Sequence, residues 1–490
     1  MVANIRTGRL VVVIVICFCF LVLFQTSSIL SLQPNLDKPS TDDFIWRKLK
    51  PHYPVKPTVS LPKNPKTALP NVQATPKTES SSDKATRLTR QKAVKDAFQR
   101  SWAAYKEHAW LKDEVTPVSG KSKDNFGGWG ATLIDSLDTL WIMDLQDDFE
   151  EAVKAVQEHI TFETTKADDI NLFETNIRFL GGLISAYDLS GDPRLLRKAT
   201  DVGDMIFMAF DTPNHMPVAR WNPHKAQEGE KQGASSSTLL AELGSFTMEF
   251  TRLSLITGNV KYYNAVQHIS ELLDHAQMKT KLPGLWPILI NANELNLDAG
   301  NDYTLGAMAD SAYEYLSKMV ALLGDKDTIY SRMHTRSMNA AEKHLFYRPR
   351  IEQDVDILFS GLASPPESAS QLGTGTGHLS CFVGGMLALG GKLLSNDSRI
   401  DQGAQFARGC IWSYESTTSG VMPEGFSLSR CPDLSPCNYT DVQWEADIGK
   451  ENNLREAQLV KDFIANKRLP KGYTDIPDAR YILRPEAIES

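Results

Sequence analysis

No Cys/His spacing in this 490-residue chain reads as a zinc site, and basic charge is in short supply. Lys and Arg number 52 against 60 Asp and Glu, for a net charge of −8. The deficit is uneven. Residues 33–90 hold 11 basic and 5 acidic residues, whereas 91–490 hold 39 and 55, which puts the body of the chain near −16. An acidic body argues against nucleic acid as a ligand. It suits a neutral or cationic ligand, or a divalent metal. Cysteine is scarce too, with six residues. Cys17 and Cys19 fall in an amino-terminal apolar run, facing lipid or palmitoylated. Cys381, Cys410, Cys431 and Cys437 lie in the body, and in an oxidising compartment four cysteines suggest two disulfides. A 431–437 pair closes a short Pro-rich loop, which leaves 381 with 410.

What the chain does have is a repeat. Glu174 in FETNIRFLGGLISAY, Glu242 in LLAELGSFTMEFTRL, Asp310 in GAMADSAYEYLSKMV and His378 in HLSCFVGGMLALG each place a polar residue in an apolar helical run, spaced by 68 residues. Each run ends in a turn signal: Gly191-Asp192, Gly258-Asn259, Gly324-Asp325 and Asn396-Asp397. A second helical stretch follows each turn. Such a hairpin cannot bury its apolar face alone, so neighbours must stack or close into a ring. A ring that repeats an inward polar group builds a central polar pit, and paired carboxylates in a pit are suited to sugar hydrolysis.

The flanks divide the chain further. Residues 1–9 read as a cytoplasmic tail and 10–32 as a signal anchor, since Leu10–Phe24 is unbroken apolar sequence preceded by Arg6 and Arg9. No small-x-small cleavage site ends the run, which favours an uncleaved anchor over a removed signal peptide. Residues 33–90 carry nine prolines between Pro34 and Pro76 and read as an extended, disordered lumenal stem. Ordered structure is expected from Gln91, with Val94, Phe98, Trp102, Tyr105 and Ala109 at helical spacing. The sequons at Asn396 and Asn438 fall in turn or loop regions.

Individually, the candidate site residues have plain alternatives. Glu174 and Arg178 have the spacing of a helix salt bridge, but Phe173, Ile177, Phe179 and Leu180 surround them, and a buried carboxylate needs a partner or a function. Asp310 could be an N-cap, and His378 a capping or core histidine. Glu424 in VMPEGF could be a solvated loop acid. Arg484-Pro485-Glu486 reads as a loop entering a helix with Pro485 at its first position. The chain then stops at Ser490, less than two helical turns on, which reads as an interruption of that helix.

Taken together, GGWGATLIDSLDTLWIM, FETNIRFLGG, EFTRLSLITGN, GLWP, ADSAYEYL, HLSCFVGGMLALG, MPEGF and YILRPEAIES resemble, in order, the class I α-1,2-mannosidases of glycoside hydrolase family 47. The resemblance covers about 91–490. It implies an all-α (αα)7 barrel of helical hairpins and the calcium-dependent, inverting removal of α-1,2-linked mannose from high-mannose N-glycans on glycoproteins. It also implies an endoplasmic reticulum or Golgi setting, with a single-pass type II anchor and a lumenal catalytic domain. Carried over by motif, Glu174, Asp310, Glu424 and Glu486 are the catalytic acids, and Arg178, His378 and Arg484 line the same pit. Cys381 and Cys410 match the family disulfide. Glu174 is the expected general acid and Glu486 the expected general base, with Asp310 the competitor for either role.

Two departures from the family pattern set further expectations. The family continues past the RPE helix with a last hairpin and a calcium-binding threonine, both of which would lie beyond Ser490. The chain as given is therefore expected to be an incomplete barrel, with no protein metal ligand of its own and weak or no activity. A glycan-binding quality-control factor without efficient turnover is the alternative. Met308, two residues before Asp310, stands where members that remove one specific mannose carry Arg, which points to broader trimming.

Overall fold

The repeat unit is a helical hairpin tied at its base by two short strands. The computed structural model describes residues 43–55, 59–62, 67–365 and 371–490. After a long helix α1 (Ser81–Ala109), six hairpins follow among the described residues. They pair α2 (Leu137–Ile142) with α3 (Gln146–His159), α4 (Gly181–Ser190) with α5 (Pro193–Met208), and α6 (Thr247–Thr257) with α7 (Val260–Ala276). The later three pair α8 (Asp310–Leu323) with α9 (Ile329–His344), α10 (Val383–Leu394) with α11 (Asp397–Glu415), and α12 (Asp441–Glu451) with α13 (Ala457–Lys467). First helices pack on one another in sequence, α2 on α4, α4 on α6, α6 on α8 and α8 on α10. The second helices lie behind, with α3 touching α5 and α7 touching α9.

Local chemistry sets the hairpin turns. Gly191 and Gly258 end their helices at φ of +71° and +73°, a region open to glycine at no steric cost. Asp192 and Asn259 then cap the next helix, each side chain accepting from the amide two residues on. Elsewhere the turn signals act differently. Thr328, not Asp325, caps α9, and Ser395 takes the left-handed position before α11 while the Asn396 side chain makes no cap.

The strands explain why the 68-residue spacing matters. Ile170–Asn171 pairs antiparallel with Arg220–Trp221, and Thr238–Leu239 with Leu289–Ile290. Tyr303–Thr304 pairs with Leu362–Ser364, and Gly375–Gly377 with Gly425–Leu428. Each strand thus precedes a hairpin and pairs with chain that returns after it. The four spaced polar residues sit just after these strands, at the starts of the helical runs rather than inside them. They therefore share one end of the helical layer.

Small residues carry the close approach where the short helix Leu240–Gly244, just before α6, meets α8. A Cβ built on Gly244 would lie 2.6 Å from the Ala312 Cβ on α8. Propensity alone favours Ala over Gly by about 1 kcal/mol in a helix, but here the clash outweighs it. Gly244→Ala is expected to lower the unfolding free energy by about 1–3 kcal/mol, the usual range for overpacking. A urea midpoint at or above that of the parent would show that α8 shifts freely.

The amino-terminal reading needs correction in part. The helix expected from Gln91 begins at Ser81, with Ser80 accepting from the Asp83 amide. Trp102, Tyr105 and Ala109 are buried as expected, whereas Val94 is exposed. Within the segment read as an extended stem, residues 43–55 pack on the body. Trp46 is buried and its indole donates to the Phe162 carbonyl at 2.7 Å. Arg47 pairs with Asp201 and Asp204, and the amides of His52 and Tyr53 both donate to Asp211. The proline-rich composition forbids a core of its own but not a strap laid on someone else's. Among the described residues no helix is long and apolar enough to cross a membrane. The tail at 1–9 and the anchor at 10–32, with Cys17 and Cys19, lie outside the described residues.

Both expected disulfides are present, Cys381–Cys410 and Cys431–Cys437. Asn396 and Asn438 are exposed.

Candidate active site

Glu174 reaches its position through an unusual backbone. The Asn171 side chain accepts from the Glu174 amide at 3.2 Å, and the chain then runs through a six-residue π-helix, Thr175–Leu180, before α4. Single π turns are rare and concentrate at functional sites. Arg178 lies in that turn. Its Nε is 2.8 Å from Glu174 Oε2 and its Nη1 3.4 Å from Asp135 Oδ2. The guanidinium also covers the Phe126 ring at 4.5 Å, in the glycine-rich segment before α2. The salt-bridge alternative at the Glu174–Arg178 spacing is therefore real, but it sits in the wall of a cavity.

That cavity, of about 510 Å³, is lined by six carboxylates: Glu174, Glu242, Asp310, Glu314, Glu486 and Glu489. Arg178 lines it as well. Glu174, Asp310 and Glu486 thus converge although they come from before the second hairpin, the start of the fourth and beyond the sixth. Met308 is on the rim, held at φ +73°.

The acids differ in their partners. Glu242 accepts from Arg220 at 2.6 Å. Glu314 and Glu489 both pair with Lys318, Glu489 at 3.3 Å. Asp310 is the first residue of α8 rather than its N-cap, and its Oδ1 accepts from the Ser311 amide at 2.8 Å. Burial pushes its pKa up to about 6, and the charge of Glu486 adds to the rise. Burial likewise raises Asp135 to about 6, against the pull of Arg178.

Glu486 opens a short helix, α14 (Glu486–Glu489), that packs on the 3-10 turn His378–Phe382. Pro485 takes the capping position, one residue earlier than expected. Ser490 is tied down at both its amide and its hydroxyl. Its amide donates to the Glu486 carbonyl at 3.2 Å, its hydroxyl donates to the Cys381 carbonyl, and that same hydroxyl accepts from the Gly385 amide at 2.9 Å. These bonds fasten α14, and with it Glu486, to the start of α10.

His378 lies beneath the cavity, 1% exposed. Its Nε2 is 2.6 Å from the Tyr414 hydroxyl and its Nδ1 3.4 Å from Glu486 Oε2. Glu486 Oε2 is buried and makes no hydrogen bond among the described residues. Glu424 is neither solvated nor on the cavity wall. Both its oxygens accept from Arg484 Nε, at 2.6 and 2.8 Å, and its carbonyl accepts from the His378 amide. Arg484, held in its charged form chiefly by Glu424, also feels Glu486 and Asp310.

Reading the sequence residue by residue misses four acids. Glu242 shares the 68-residue spacing, yet no motif assigns it a role. Glu314 is one helical turn from Asp310, and Glu489 is one turn from Glu486, so helical spacing from a known acid finds both. Asp135 lies in the ATLIDSLDTLW segment, where only its contact with Arg178 reveals it.

Residues 97–490 match the family described as Glycosyl hydrolase family 47. The endoplasmic reticulum mannosyl-oligosaccharide 1,2-alpha-mannosidase of Rattus norvegicus is 37% identical over 382 residues, covering 78% of this chain and 55% of the relative. The mannosyl-oligosaccharide 1,2-alpha-mannosidase IB of Mus musculus is 36% identical over 349 residues, covering 68% and 51%. Among solved structures, an alpha-1,2-mannosidase from Trichoderma reesei superimposes with a TM-score of 0.67 at 29% identity, over 82% of this chain and 79% of that one. The expected (αα)7 barrel class is the fold shared with that enzyme. The chain spans about half the length of the first two relatives.

Proposed function

Because the chain belongs to glycosyl hydrolase family 47, we propose that its cavity hydrolyses terminal α-1,2-linked mannose on high-mannose N-glycans, with inversion. The observation that carries this reading is the convergence of Glu174, Asp310 and Glu486 on one acid-lined cavity. An inverting glycosidase needs one carboxyl group to protonate the leaving oxygen and another to activate water on the opposite face, about 6.5–9.5 Å apart. Asp310 suits the first task, since burial lets it hold a proton near pH 6 and Ser311 is its hydrogen-bond partner. Glu174, the acid expected for that role, is instead engaged by Arg178. Glu486 suits the second task, with a free acceptor oxygen beside His378.

In this scheme Asp310 gives its proton to the glycosidic oxygen as the C1–O bond breaks. Water adds to C1 from the other side and loses a proton to Glu486. Arg178 and Glu174 hold the sugar hydroxyls. Arg484 pairs with Glu424 behind them, and His378 with Tyr414 stands against Glu486. The family is generally calcium-dependent, and the threonine that the resemblance implies as its ligand would follow Ser490. Among the described residues no group of three or more His, Cys, Asp or Glu is arranged to hold a metal. Four of the six cavity acids already have Arg or Lys partners, Glu174 with Arg178, Glu242 with Arg220, and Glu314 and Glu489 with Lys318. The residues present do not by themselves fit the ion, and no step is routed through it. The setting that suits this chemistry is the lumen of the endoplasmic reticulum or Golgi, with 10–32 as its tether.

The test is incubation of the chain with a high-mannose glycan, with and without added calcium, followed by proton NMR of the first product. Whatever mannose is released, however slowly, is expected as the β-anomer. Release of the α-anomer would refute inversion. Binding of α-1,2-mannobiose without release would assign the glycan-binding alternative instead.

A further inference from the structure

One acid beside the cavity has no part in the scheme above. Glu249 lies on α6, between the two elements that carry Glu174 and Asp310. From one side Asn176, two residues after Glu174 in the π turn, donates through Nδ2 to Glu249 Oε2 at 3.0 Å. From the other side the Tyr315 hydroxyl, on α8 with Asp310, donates to Glu249 Oε1 at 2.8 Å. Asn176 Nδ2 also reaches the Ser245 carbonyl at 3.1 Å, and the Ser245 hydroxyl meets that of Ser311 at 2.8 Å. One carboxylate therefore accepts a hydrogen bond from each of the two helical elements that present Glu174, which holds the sugar, and Asp310, the proton donor of the scheme above.

Its surroundings suit a fixed joint. By surface area Glu249 is only half-buried, but the carboxylate end is packed closely enough that desolvation pushes its pKa up to about 7. The hydrogen bonds from Tyr315 and Asn176 and the charge of Lys318 oppose that rise.

We propose that Glu249 is a positioning residue, whose two hydrogen bonds lock the π turn to α8 and thereby set the separation of the Glu174 and Asp310 carboxyl groups. Its effect on turnover rests on the function proposed above; its effect on that separation does not. Catalytic groups must be held within about 0.5 Å of their productive placement, and a misplacement of about 1 Å can cost about a hundredfold in rate. Leu at this position would fill the volume and accept nothing. Gln has the same length and still accepts from Tyr315. Asn176 Oδ1, buried without a hydrogen bond, can then take the Gln amide once the Asn176 amide turns over, which exchanges its bond to the Ser245 carbonyl for one to Gln.

The experiment compares the parent chain with Glu249→Leu, Glu249→Gln and Tyr315→Phe, by crystallography and by mannose-release kinetics on folded protein. Glu249→Leu is expected to change the Glu174–Asp310 separation by about 0.5 Å or more. It should lower kcat by about tenfold or more as Asp310 is displaced, and KM should rise as Glu174, which holds the sugar, moves with it. Tyr315→Phe should move both in the same direction, and Glu249→Gln should stay close to the parent. A Leu variant with the parent separation and the parent kcat would overturn the proposal, because a merely packed side chain tolerates that change. If the Leu variant does not fold, Tyr315→Phe decides alone, since it deletes a single hydroxyl, and an unmoved separation would overturn the proposal. A parent chain with no turnover would refute the proposed function and leave the crystallographic separation to decide the role of Glu249.

Discussion

Replacing Glu486 by Gln is expected to reduce mannose release by about 10²–10⁴-fold, the range that general acid–base groups contribute, with KM little changed. The side chain keeps its length, so its packing over His378 persists and the loss falls on the step that accepts the proton from water. Asp310→Asn should cause a comparable loss and should also alter the pH profile. In the parent, Asp310 is protonated below about pH 6 because burial raises it, so kcat/KM should decline as pH rises through that value. The residual activity of Asp310→Asn should lack that decline. Initial rates on a high-mannose glycan between pH 4 and about 8 measure both effects. A Glu486→Gln variant within about tenfold of the parent would remove Glu486 from the reaction.

Loss of the Cys381–Cys410 bond should have the largest effect on stability. The bridge spans 29 residues, and both cysteines are buried. Constraining a loop of that length in the unfolded chain contributes about 3–4 kcal/mol. A whole domain is stable by only about 5–15 kcal/mol. The bond also joins the 3-10 turn that carries His378 to α11, which carries Tyr414, so the His378–Tyr414 contact should loosen first. Cys381→Ala with Cys410→Ala is expected to lower the urea midpoint clearly and to reduce turnover before unfolding begins. An unchanged midpoint would mean that the packing of α10 on α11 already holds the turn. The Cys431–Cys437 bond closes a span of 6 residues and should matter less on the same argument.

Much of the site was legible because its parts are local. The 68-residue spacing, the turn signals at Gly191-Asp192 and Gly258-Asn259, and the motif order are short-range patterns, and helix formation and capping obey short-range rules. The same rules put Glu174 and Arg178 within reach of each other and left 431–437 and 381–410 as the natural cysteine pairs.

What they could not supply were partners distant in the chain. Glu424 had only the resemblance to mark it as a site acid rather than a solvated loop acid, because nothing nearby pairs with it, yet Arg484, sixty residues on, grips both its oxygens. The Ser490 hydroxyl has no partner legible nearby in the sequence, yet the Cys381 carbonyl and the Gly385 amide, more than a hundred residues earlier, hold it. The sequence left Glu174 and Asp310 competing for the proton-donor role, and the proposal of Asp310 draws on a burial that no local pattern carries. Residues 43–55 read as a free stem because their composition cannot build a core. Only the folded barrel offers the Phe162 carbonyl to Trp46 and the carboxylates of Asp201, Asp204 and Asp211 to the strap. The sequence by itself determined the repeating hairpin and the family of the chain, since both are written in local patterns of apolar and turn-forming residues. The tertiary structure decided which acids share the cavity, which cations pair with them and how far burial raises them, because charge and desolvation depend on distances that no local pattern carries.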